Sequence, residues 1–88
     1  MPFVYIVQCA DGTLYTGWAM DVLARVKTHN DGRGAKYTQA RRPVCLVYSE
    51  TWPSRADAMR REREIKRWPR ARKLALFRRT PSRNVPRL

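Results

Sequence analysis

The chain is 88 residues long, and its 19 Lys and Arg against 7 Asp and Glu leave a formal net charge of +12. That length holds one domain with one small core, and the charge calls for a densely negative partner. No apolar run approaches the ~20 residues that a spanning helix needs, so a helical membrane protein is excluded and no membrane partner is expected.

The N-terminus has neither a basic n-region nor an apolar h-region, which leads us to expect a cytoplasmic location, beside the nucleoid if the partner is DNA. Cys9 and Cys45 stand far apart without Cys-x-x-Cys or His-x-x-x-His spacing. Each fits a strand as a small, reduced, apolar residue.

Phe3 to Gln8 is rich in Val, Ile, Tyr and Phe and reads as a first strand, with Leu14 to Trp18 as its hairpin partner. Loop length decides what faces what. A two-residue loop, Asp11-Gly12, sets Tyr5 opposite Trp18 and sends Tyr15 to the other face. A three-residue loop, Ala10-Asp11-Gly12, is a type I turn closed by a left-handed glycine, and it sets Val7 opposite Tyr15 and Tyr5 opposite Gly17. The second register explains Gly17, because a side chain there would crowd the Tyr5 ring.

Asp21 is placed to cap a helix that stops near Asp31-Gly32-Arg33-Gly34, with Val22, Arg25, Val26 and His29 on one stripe. A basic loop with Lys36, Tyr37, Arg41 and Arg42 leads to Pro43 and a third strand, Val44 to Ser49. Ser54 and Asp57 form a capping box for a helix running to about Trp68, where Pro69 interrupts it. Its inward stripe is Ala58, Met59, Glu62 and Ile65, whereas Glu64 falls on the opposite side. A last helix, from Pro69 or Arg70 to about Arg78, is anchored by Leu74 and Phe77. The domain is expected to span residues 1–80, and the tail Pro81 to Leu88 to be loose.

Arg60 to Lys73 holds eight basic residues against two acids and is the densest basic stretch, with Arg60, Arg61 and Lys66 as candidate phosphate contacts beside Lys36, Tyr37, Arg41 and Arg42. Helix-borne Lys and Arg meet phosphates without reading sequence, so binding is expected to weaken steeply with salt.

Val4-Tyr5-Ile6, Tyr15-Thr16-Gly17, Arg25, His29 and Glu62, together with the phrases CADGTLYTG, GAKYT, RRPVCLVYSE and REREIK, make the chain resemble a GIY-YIG nuclease domain from Phe3 to about Phe77. More narrowly it resembles the small stand-alone bacterial members of that superfamily. The resemblance implies an α+β fold, a three-stranded antiparallel sheet flanked by helices in the order β-β-α-β-α-α. It also implies a single-metal phosphodiesterase site on the sheet face that holds both tyrosines. Carried over by position, Tyr5 and Tyr15 are the motif tyrosines, Gly17 the motif glycine, Arg25 the helix arginine and Glu62 the metal ligand, while His29 occupies a position of varying role. The first motif lacks its leading glycine, and Asn84 in the tail is not assigned to the asparagine of larger relatives.

These residue types suit hydrolysis of a phosphodiester. A hard divalent ion, one Mg²⁺ or Mn²⁺, held by Glu62 and waters can offset the charge that builds on the phosphate. Arg25 can fork onto two phosphate oxygens. A tyrosine near cations can take a proton from water, a role given to Tyr15, with Tyr5 positioning phosphate or water and His29 as an alternate base or phosphate donor. The duller readings are packing tyrosines, a surface histidine, and an Arg25–Glu62 ion pair that would explain an inward carboxylate without metal. Three functions follow: a DNA endonuclease, to which a protein partner could supply targeting; a non-catalytic DNA-binding module on the same fold; and an RNA-associated basic protein. Nothing in the pattern specifies an oligomeric state.

Overall fold

A computed structural model of the chain describes residues 1–78. The expected loose tail, Asn84 included, lies outside the described residues. The elements are β1 (Phe3–Cys9), β2 (Leu14–Ala19), α1 (Val22–Asn30), α2 (Lys36–Gln39), β3 (Val44–Thr51), α3 (Arg55–Lys66) and α4 (Arg70–Arg78). The strands form one antiparallel sheet in the order β2-β1-β3. This is the expected α+β architecture, with one turn of helix, α2, where a basic loop was expected, and with β3 running two residues further.

The hairpin takes the three-residue loop. Gly12 has φ +86°, the Cys9 N–H donates to the Thr13 carbonyl at 2.8 Å, and Asp11 accepts from the Thr13 backbone and hydroxyl. Tyr5 therefore faces Gly17, and Val7 faces Tyr15. Because β1 is central, both of its faces are covered, which is why its sequence is apolar without alternation. Tyr5, Val7 and Cys9 pack with Ala19, Val22 and Val44 on the α1 side. Val4 and Ile6 pack with Ala58 and Ile65 on the α3 side.

The helices start where their caps predict: Asp21 accepts from the Ala24 N–H, and Ser54 from the Asp57 N–H. Three apolar expectations need correction. Met59 is 40% exposed, since the narrow stripe of Ala58 and Ile65 already seats α3 and leaves Met59 at its margin. On α4, Leu76 and Phe77 reach the core cluster and Leu74 does not. Cys9 is buried, but Cys45 is exposed, because alternation along the edge strand β3 turns Val44 inward and its neighbour out.

Two polar clamps fix the helices to β3. Asn30 at the end of α1 accepts from the Val44 N–H at 2.7 Å and donates to the Val44 carbonyl at 3.1 Å. Arg61 on α3 meets Glu50 at 2.8 Å, while Glu50 also accepts from Tyr48 and the Trp52 indole. Burial alone would raise the Glu50 carboxyl, but the Arg61 donors and these two hydrogen bonds override it and hold it below the usual range.

Candidate active site

The Tyr5 ring lies across Gly17. A Cβ at position 17 would sit 2.5 Å from the Tyr5 hydroxyl oxygen and 2.7 Å from Cζ, closer than such atoms approach. With no side chain in the way, the phenol reaches over β2, a free edge of the sheet, and its Oη lies 2.8 Å from His29 Nε2. His29 Nδ1 lies 2.8 Å from Thr38 Oγ1, and that hydroxyl donates its own proton to the Ala35 carbonyl. Thr38 must therefore accept from Nδ1–H, which leaves Nε2 as a lone pair and makes Tyr5 the donor. Gly34 stands against His29 so closely that a Cβ there would collide with Nδ1.

Burial sets the titration of this chain. Tyr5, 1% exposed, has its hydroxyl pushed up to about 12, first by burial and then by Tyr15, with Arg25 opposing and Glu62 adding to the rise. His29, 2% exposed, is held below the ordinary histidine range by burial and then by the Arg25 charge. It is the sole histidine of the sequence. As pH falls through 6.5, the unfolded chain takes a proton that the folded chain refuses, so stability present above that pH is lost on the way down to the folded value. Urea unfolding followed by tryptophan fluorescence should show a falling midpoint as pH drops below 6.5, with a slope of at most about 1.4 kcal/mol per unit. The slope just below pH 6.5 should vanish in His29→Phe, since the lowered carboxyls of Glu50, Asp11 and Asp31 contribute only as pH falls toward 4.5 and 3.8. An unchanged slope in that variant would contradict a neutral His29.

Tyr15 shares this face. Its ring is edge-on to His29 at 5.3 Å and stacked on Tyr37 at 5.9 Å, and Arg41 covers Tyr37 at 4.1 Å while pairing with Asp11 at 3.1 Å. Arg25, one turn before His29, is exposed and donates to the Trp18 carbonyl at 3.3 Å, near enough to act on both Tyr5 and His29. Glu62 arrives from the opposite side of the sheet. Its helix packs below β2 through Ala58 and Ile65, yet its carboxylate acts on the Tyr5 hydroxyl, and Lys66 Nζ lies 5.4 Å over the Tyr15 ring. Both side chains thus reach the phenols past the free edge of β2.

The rival reading, an Arg25–Glu62 ion pair, is not met among the described residues. Glu62 pairs with Lys66 at 3.4 Å, and its side chain is 18% exposed, against 55% for Glu64. Among the described residues no group of three His, Cys, Asp or Glu side chains could hold a metal ion. One accessible carboxylate fits a hard cation that keeps most of its waters, and does not fit a metal that needs a full protein cage.

The candidate phosphate contacts separate in space. Lys66 joins the phenols, and Tyr37 and Arg41 stack beside them. Lys36 is exposed on α2, and Arg60 is exposed and paired with Asp57. Arg42 donates to the carbonyls of Gln39 and Asn30. Arg61 is taken up by Glu50 and Glu64, so the structure gives it a clamping place instead of an open one. Sequence reasoning missed Thr38, Ala35 and Gly34 as supports of His29. The one signal was the phrase GAKYT, which contains Ala35 and Thr38 and begins at Gly34.

The chain matches the family model described as the GIY-YIG catalytic domain over residues 1–75. It is 59% identical over 75 residues to a UPF0213 protein of Staphylococcus aureus, covering 85% of this chain and 92% of that one. A solution NMR structure of a UPF0213 protein from Bacillus halodurans is 43% identical and superposes with a TM-score of 0.59, covering 93% of this chain and 88% of that one. A second NMR structure, of a protein from E. faecalis, is 27% identical with a TM-score of 0.59 over 98% of this chain and 92% of that one.

Proposed function

The chain belongs to the GIY-YIG family, and from that membership we propose that it is a divalent-metal-dependent endonuclease that hydrolyses phosphodiester bonds in DNA. Branched, nicked or damaged strands met in repair or recombination are the proposed targets. The observation that carries this reading is the gathering of Tyr15, Arg25, His29 and Glu62 around one buried phenol, Tyr5, from both sides of a free sheet edge.

The roles follow from the chemistry of each group. Tyr5 donates its hydrogen bond to His29 and, with its hydroxyl pushed up to about 12, stays protonated and does not serve as base, so only its lone pairs are left to hold the attacking water. Tyr15, half-buried and flanked by Lys66, in its phenolate form takes the proton of that water as the water oxygen bonds to phosphorus and the bond to the leaving oxygen breaks, and that oxygen takes a proton from solvent. Arg25 forks onto the non-bridging oxygens. His29 has both ring nitrogens engaged inside the protein, so it acts through Tyr5 as a positioning residue. Glu62 would hold one Mg²⁺ or Mn²⁺. When bound, that ion supplies positive charge against the charge the phosphate gains.

The test is a panel of duplex, single-stranded, flap and junction DNA incubated with Mg²⁺ or Mn²⁺, with and without chelator. Cleavage should need the metal, and Tyr15→Phe should slow it by about 10²- to 10⁴-fold. Binding without cleavage on every substrate would leave the alternative, a module that holds DNA uncut; the Lys66 contact on Glu62 is the observation that favours it.

A further inference from the structure

Beyond the phenols, an open recess of about 220 Å³ lies between Thr13, Leu14, Tyr37, Arg70 and Lys73. We infer that Lys66, Arg70 and Lys73 around this recess form a subsite for a second phosphate of the bound DNA strand, flanking the linkage that is cut. The inference rests on the endonuclease reading for the identity of the strand, and on the recess itself for the contact.

The charges carry it. Lys73 is half-buried, and among the described residues its side chain has no carboxylate within ion-pair distance and no hydrogen bond; its backbone N–H donates to the Pro69 carbonyl. Arg70 donates one N–H to the Gly12 carbonyl at 2.8 Å, which fixes its guanidinium at the hairpin and, among the described residues, leaves its other side-chain donors open. Burial, and after it the charge of nearby Lys66, bring the Lys73 ammonium below the usual lysine range. A solvated lysine would extend into water and away from its neighbour. Holding cations together over a recess leaves a local excess of positive charge, which a phosphate relieves.

Position supplies the second argument. Tyr37 lines the recess and stacks on Tyr15, and Lys66 touches both Glu62 and the Tyr15 ring. The recess and the phenols therefore share a border. Leu14 lies about 10 Å along β2 from Gly17, three residues at the usual strand rise. A strand whose phosphate sits at Tyr5 and Tyr15 would pass over the recess as it runs toward the hairpin tip.

The experiment measures affinity for a single-stranded DNA of about 12 nucleotides by fluorescence anisotropy across a salt series, without divalent metal. Lys73→Gln should raise Kd about three- to tenfold and flatten the log–log salt slope by about 0.7. Lys73→Arg should restore both, and Lys27→Gln, an exposed charge paired with Asp31, should change neither. Replacing one linkage at a time by an uncharged methylphosphonate should then reveal a position that weakens the wild type but not Lys73→Gln. Equal losses in Lys73→Gln and Lys27→Gln, or no such position, would overturn the subsite. If the coupling appears while the wild type cuts no DNA, the subsite stands and the endonuclease reading falls; if the wild type cuts and the coupling is absent, the reverse holds.

Discussion

Glu62→Ala is expected to remove cleavage, by on the order of 10³-fold, while leaving the chain folded and its DNA affinity undiminished. Stability should change by less than about 1 kcal/mol, because the carboxylate's partner is Lys66, half-exposed at 3.4 Å, and such pairs contribute little. Affinity should hold or rise, since the substitution removes a negative charge and frees the Lys66 ammonium. This divergence between binding and cutting separates Glu62 from a residue that simply supports the fold. A readout independent of turnover is available: Mn²⁺ should broaden the Tyr15 ring resonances of the wild type and spare them in Glu62→Ala. Full cleavage in the variant, or broadening that survives it, would remove Glu62 from the site and the metal assignment with it.

Gly17→Ala should abolish cleavage and destabilise the domain by about 1–3 kcal/mol, the usual range for an added group in a packed position. The new Cβ would meet the Tyr5 hydroxyl at 2.5 Å and Cζ at 2.7 Å. Neither neighbour gives way easily. Tyr5 is fully buried and tied to His29, and β2 is registered to β1 along its whole length. In a domain this small, each kcal/mol lowers the melting temperature by about 4–8 °C, so calorimetry resolves the effect. Adding Tyr5→Phe removes the closest atom but not Cζ, and the pair should recover part of the lost stability and none of the activity. A Gly17→Ala protein with wild-type melting and cleavage would mean that the close crossing of phenol and strand is dispensable.

The hairpin was legible because one glycine and one loop length decide it. Gly12 demands the left-handed region, the three-residue loop follows, and every facing pair down to Tyr5 and Gly17 is then set. The inward turn of Glu62 was legible for a similar reason, being a matter of phase on a helix with clear caps. The supports of His29 were not. Thr38 is polar, sits nine residues further on and is carried by a four-residue helix too short to show a period. Arg61 was equally opaque: its neighbours in the chain make it one cation among eight, and only the folded β3 brings Glu50 within 2.8 Å. Local rules thus placed the groups that point from an element, and tertiary contacts chose which charges remained open.

Among the described residues the outer margin of β2 has no strand beside it, and past that margin α3 brings Glu62 and Lys66 toward the phenols. Backbone groups along such a border are natural templates for another chain. A peptide or a second copy that zipped onto it would wall the carboxylate off from the phenols without touching any of them. Under the proposed endonuclease function this side has to stay bare, and a short extended peptide able to pair with Leu14 to Ala19 would act as an inhibitor by closing a doorway.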